Sequence, residues 1–99
     1  MVATSAAISV STVVSLNKAK LMSVYVTTNT TCVTTNFVVK VWDSSDTDTT
    51  NANEMFRHTA NENHSLAALN FESDLHGAIA GDGLYVEISG TGTVFLTYE

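Results

Sequence analysis

Between residues 83 and 99 apolar and polar side chains alternate twice, on either side of Gly90-Thr91-Gly92. The first run is Leu84-Tyr85-Val86-Glu87-Ile88-Ser89 and the second is Thr93-Val94-Phe95-Leu96-Thr97-Tyr98. Period-2 alternation is the pattern of a half-buried strand, and two such runs around a Gly-rich break predict a β-hairpin. A three-residue loop pairs Ser89 with Thr93, Ile88 with Val94, Val86 with Leu96 and Leu84 with Tyr98. A two-residue loop at Thr91-Gly92 would oppose Val86 to Thr97 and send one strand's side chains to the wrong face, so the three-residue register is expected. In that register Tyr85, Glu87, Phe95 and Thr97 share the outer face, with Phe95 opposite Glu87 and Tyr85 opposite Thr97.

The rest of the chain repeats the theme. Ile8, Val10, Val14 and Leu16 recur at even positions with serines between them, which predicts one strand over residues 6–16. Residues 20–28 predict a second, with Met22, Val24 and Val26 inward and Ser23, Tyr25 and Thr27 outward. Residues 36–42 predict a third, with Phe37, Val39 and Val41 inward and Val38, Lys40 and Trp42 outward; Lys40 marks the wetter face. Shorter strands are expected over 54–60, around Phe56, and over 65–71, with Leu69 and Phe71 inward. Leu75 and Ile79 fall in an irregular stretch, and Gly81-Asp82-Gly83 turns the chain into the last two strands. No amphipathic helix appears. The expectation is one all-β domain over residues 1–99, an antiparallel β-sandwich or jelly-roll-like fold of about seven short strands. Its core is predicted from Val24, Val26, Phe37, Val39, Leu69, Phe71, Val86, Ile88, Val94 and Leu96.

Composition then bounds the function. The 99 residues suffice for one modest core. Ser, Thr and Asn make up about a third of the chain, so uncharged polar residues supply the outer faces and turns. The net charge is −6, and the four cations, Lys18, Lys20, Lys40 and Arg57, are scattered. That argues against nucleic acid, and against an anionic membrane surface, as a direct partner. No apolar run approaches the roughly 20 residues of a membrane-spanning helix, and residues 1–16 make a poor signal peptide. Cys32 is the single cysteine and excludes an intrachain disulfide.

Candidate chemistry is sparse. The loop Asp43-Ser-Ser-Asp46-Thr-Asp48 gathers hard oxygen ligands, but its spacing fits no EF-hand and it lacks the turning glycine, so it reads as a solvated acidic loop and not a metal site. His58, His64 and His76 do not have zinc-ligand spacing. Nothing around Cys32 resembles a nucleophile motif. Glu72 and Asp74 read as a solvated strand edge and not a glycosidase pair. No catalytic, cofactor-binding or metal-binding residues are expected, and no enzyme activity.

The ending Gly83-Leu-Tyr-Val-Glu-Ile-Ser-Gly-Thr-Gly-Thr-Val94, closing on Leu96-Thr-Tyr-Glu99, resembles that of small structural proteins of tailed-phage virions, the capsid decoration (cement) type. Val39-Lys-Val-Trp-Asp43, with the polar loop and strand after it, resembles their middle region. The resemblance implies a β-sandwich subunit that resides in the virion and stabilises the shell. Its partners would be the major capsid protein or other virion proteins, and it would form a homo-oligomer, with a trimer as the expected size. Tyr85, Phe95 and Trp42 are the expected interface residues, because aromatics are enriched where protein surfaces meet. The competing reading is a carbohydrate- or receptor-binding module of a phage tail or spike, with Trp42 and Tyr25 as stacking platforms.

Overall fold

A computed structural model describes residues 2–27, 37–60, 70–90 and 92–99. Eight strands are described: β1 (Ala3–Thr4), β2 (Thr12–Ser15), β3 (Ala19–Thr27), β4 (Phe37–Asp43), β5 (Asn53–Ala60), β6 (Asn70–Ala80), β7 (Leu84–Ser89) and β8 (Thr93–Tyr98). They form two four-stranded sheets, ordered β1-β8-β3-β6 (sheet I) and β2-β7-β4-β5 (sheet II). Every pairing is antiparallel. Of the connections between successive described strands, only β4 to β5 stays within a sheet; the others pass from one sheet to the other. This is the strand order of an eight-stranded jelly roll. The all-β sandwich expected from the alternation is therefore present, with eight described strands in place of about seven.

The C-terminal hairpin is not formed. β7 pairs with β2 and β4 in sheet II, whereas β8 pairs with β1 and β3 in sheet I. Gly90 and Gly92 lie in a crossover between sheets, not in a hairpin loop. The inward sets were assigned correctly all the same: Leu84, Val86, Val94 and Leu96 are fully buried. Two apolar rows can satisfy each other side by side or face to face, and alternation does not distinguish the two. Gly90 adopts φ +93°, the left-handed region that glycine enters without a steric cost. A Cβ on Gly92 would lie 2.5–2.7 Å from three atoms of the Phe37 ring. The crossover thus closes down on Phe37, and only a residue without a side chain fits there.

The core consists of Ile8, Ala19, Leu21, Val24, Val26, Phe37, Val39, Val41, Phe56, Ala80, Leu84, Val86, Val94 and Leu96, with Val14, Met55, Leu75, Ile88 and Tyr98 packed against it. Ile88, expected inside, is half-buried at its margin. Leu69, with Cys32 and His64, lies outside the described residues. Phe71 pairs with Val26 through its backbone, and its side chain lies outside the description.

The departures from simple alternation have identifiable reasons. In β3 the register shifts between Leu21 and Ser23 against both β6 and β8, so Met22 is an extra residue. Such a bulge reverses which parity faces inward. Ala19 and Leu21 point into the core before it, Val24 and Val26 after it, and Met22, expected inside, is half-buried. Opposite Met22, β6 accommodates Leu75, His76 and Gly77, with φ +54° at His76 and +74° at Gly77. The irregular stretch is thus a bulge within one 11-residue strand. The single strand expected over 6–16 is two segments in different sheets. Ile8 bridges to Val94 of sheet I, and its N–H donates to the Val94 carbonyl at 2.9 Å. By Thr12 the chain has joined sheet II. Val10 in the crossover and Leu16 in the following turn are accordingly 71% and 70% exposed, not inward.

Candidate functional site

The jelly roll presents two outer sheet faces and an acidic end. Cross-strand partners point to the same side of a sheet, so register tells which residues share each face. On sheet I, Phe95 pairs with Tyr25, Thr97 with Thr4 and Ser23, and Thr93 with Thr27. The Tyr25 and Phe95 rings are tilted at 52° with centroids 6.2 Å apart, a favourable aromatic geometry. Across β8 and the Ser23–Thr27 half of β3 this face carries hydroxyls and two aromatics, while on the neighbouring β6 Glu72 is the register partner of Tyr25. Asp74, the partner of Ser23, borders it on β6.

On sheet II, Trp42 pairs with Tyr85 and Glu54, and Lys40 pairs with Glu87 and Arg57. The Trp42 indole Nε1 donates to Glu87 Oε1 at 3.0 Å. Arg57 holds Glu54 through two hydrogen bonds, from Nε to Oε1 and from Nη2 to Oε2 at 2.9 Å. The Arg57 guanidinium keeps the Glu54 carboxyl below the usual carboxylate range. Burial pushes the His58 imidazole down. Beyond Lys40 and Glu87 the face opens into a groove of about 300 Å³ lined by Ser11, Val38, Lys40, Glu87, Ile88 and Ser89. Ser11 closes one wall: its Oγ accepts from the Ile88 N–H at 2.9 Å just before the chain enters β2.

The three residues expected at one interface are therefore divided. Trp42 and Tyr85 lie on the outer face of sheet II and Phe95 on that of sheet I, because β7 and β8 belong to different sheets. Phe95 does not oppose Glu87, nor Tyr85 Thr97. Tyr85, expected on the surface, is only 6% exposed. Phe95 has Tyr25 as its neighbour instead.

The acidic end is built by the β4–β5 loop, and its carboxylates hold backbone. Asp43 accepts from the N–H groups of Gly81, Asp82 and Gly83 at 2.9, 2.8 and 3.4 Å, joining this loop to the β6–β7 turn. Ser44 Oγ donates to the Asp46 carbonyl at 2.8 Å. Asp46 Oδ1 accepts from the Asp48 N–H at 2.8 Å, and Asp48 Oδ1 from the Thr50 N–H at 3.0 Å. The Thr50 N–H keeps the Asp48 carboxyl below its ordinary value. A shallow cavity of about 220 Å³ lies over this loop. Among the described residues no three His, Cys, Asp or Glu side chains gather as metal ligands would. His76 and Asp74 meet at 3.5 Å on the exposed β6 edge.

Sequence reasoning placed Lys40 and Glu87 on outer faces but did not bring them together, since that required knowing that β7 lies beside β4. The available signal was a charge set between apolar neighbours in each strand, Lys40 between Val39 and Val41 and Glu87 between Val86 and Ile88. Comparison of the chain with protein-family models, curated proteins and solved structures finds no match.

Proposed function

We propose that the protein is a structural subunit of a tailed-phage virion, one that decorates the capsid and stabilises it through the major capsid protein or a neighbouring virion protein. The warrant is analogy: the resemblance of the C-terminal and middle segments, together with a jelly roll, an architecture used in viral capsid domains. The observation that carries the reading is the Tyr25–Phe95 pair on the outer face of sheet I, set among the hydroxyls of β8 and β3. Copies of a chain with net charge −6 repel one another wherever carboxylates meet. The β8–β3 part of this face lets two surfaces approach over hydroxyls, clear of the carboxylate residues on β6, and it carries the aromatics that interfaces favour. It replaces the mixed patch of Tyr85, Phe95 and Trp42 as the contact surface. The assembly is a homo-oligomer, and a trimer suits threefold positions of a shell.

Light scattering of the wild-type chain and of the Tyr25→Ser/Phe95→Ser double variant tests this. Both substitutions lie on the outer face and spare the core. The wild type should run at three times the 10.6 kDa chain mass and the variant at the chain mass. A folded variant that keeps the wild-type mass, or a wild type that is monomeric, contradicts the reading.

A further inference from the structure

The geometry points to a binding groove for a neutral saccharide on the outer face of sheet II, between Lys40 and Glu87. It does not rest on the virion reading. Lys40 and Glu87 are direct cross-strand partners with opposite charges. Among the described residues the Lys40 ammonium nevertheless makes neither a hydrogen bond nor an ion pair within 4 Å. Glu87 is instead oriented by Trp42, whose Nε1 occupies one carboxylate oxygen at 3.0 Å. That leaves the second oxygen as an acceptor and the three ammonium N–H groups as donors, on two residues that line the groove. Val38 and its cross-strand partner Ser89, on the same outer face, add an apolar and a hydroxyl residue to the lining.

This combination selects a class of ligand. Binding sites pair apolar lining with a few placed polar groups, and about 300 Å³ is the small end of their range. A sugar ring has apolar C–H faces and neighbouring hydroxyls, each able to donate and accept. One hydroxyl would accept from Lys40 while its neighbour donates to Glu87, and such charge-assisted bonds are the stronger kind. The charges lining the groove cancel, so a neutral ligand is matched. An anion would meet Glu87 and the net charge of −6, and a cation would meet Lys40. An extended peptide would need a free strand edge, but β4 has strands on both sides, and where β7 runs past the β2 ladder its Ile88 N–H is taken by the Ser11 hydroxyl.

The test is a titration of the isotopically labelled full chain with galactose, mannose and N-acetylglucosamine separately, followed by amide and indole N–H resonances. At least one sugar should shift the amides of Val38, Lys40, Glu87 and Ser89 and the Trp42 indole N–H, with a dissociation constant of about 1–10 mM. Lys40→Met and Glu87→Gln, both on the outer face, should each weaken that binding about tenfold or more while resonances elsewhere stay in place. The proposal is overturned if no sugar moves these resonances at about 50 mM, if the shifts map to the Tyr25–Phe95 face, or if folded variants bind as the wild type does. The wild-type titration decides the matter even if one of the variants does not fold.

Discussion

Phe37→Ala is expected to lower stability by about 3–5 kcal/mol, the usual cost of truncating a buried aromatic. Phe37 is 1% exposed and opens β4. Its ring lies beneath the β7–β8 crossover, close enough that Gly92 has no room for a Cβ. Alanine would leave a cavity bounded by that crossover and by the core. Small domains have a total stability of roughly 5–15 kcal/mol, so this loss takes much of the margin. At about 4–8 °C per kcal/mol, the melting temperature should fall by about 12 °C or more. A drop smaller than about 2 °C would show that the ring does not fill the end of the core.

Gly83→Ala is the second large effect, and it acts on backbone. A Cβ at Gly83 would run into the Ser15 carbonyl oxygen, and would come within 2.9 Å of the Ser44 oxygen and 3.0 Å of the Ser45 Cα. None of these atoms is the end of a flexible side chain. The turn after β2 and the loop after β4 would both have to move, and the second is held to the same turn by Asp43. Overpacking of this kind costs about 1–3 kcal/mol and sometimes more. Gly81→Ala provides the control, since its Cβ would meet only Asp43 Oδ2, at 3.8 Å. Thermal melts should show a clear drop for Gly83→Ala and little change for Gly81→Ala. Equal melting temperatures for the two variants would mean that the three loops are not packed as described.

Gly90 and Gly92 show how far the sequence could be read. Gly90-Thr91-Gly92 announced a change of direction, and the runs on either side showed which side chains face inward. Whether the chain turned within a sheet or between sheets is decided by the strands that pair with β7 and β8, which are distant in sequence. Leu84, Val86, Val94 and Leu96 are buried in either arrangement, so their pattern carried no information about the pairing. Met22 was misplaced for a related reason. A bulge adds one residue without changing composition, and only the partners of β3 reveal it. Ile8 and Val14 looked like members of one strand because both face the core, although from different sheets. Lys40, Trp42 and Phe56 were placed correctly, because β4 and β5 follow the simple alternation up to the extra residue at Met55. The groove was not legible, since it needs β2, β4 and β7 side by side, and β2 and β4 are distant in sequence.

Assignment of the outer faces rests on β7 and β8 belonging to different sheets, and cross-strand nuclear Overhauser effects test this most directly. The jelly roll predicts contacts of Val86 with Val41 and Thr12, and of Leu96 with Val24, as neighbours along the ladders. It predicts no backbone ladder between residues 84–89 and 93–98. Close backbone contacts pairing Ser89 with Thr93, and continuing along both strands, would contradict it. They would return Tyr85 and Phe95 to one face and remove the basis for separating the aromatic face of sheet I from the groove on sheet II.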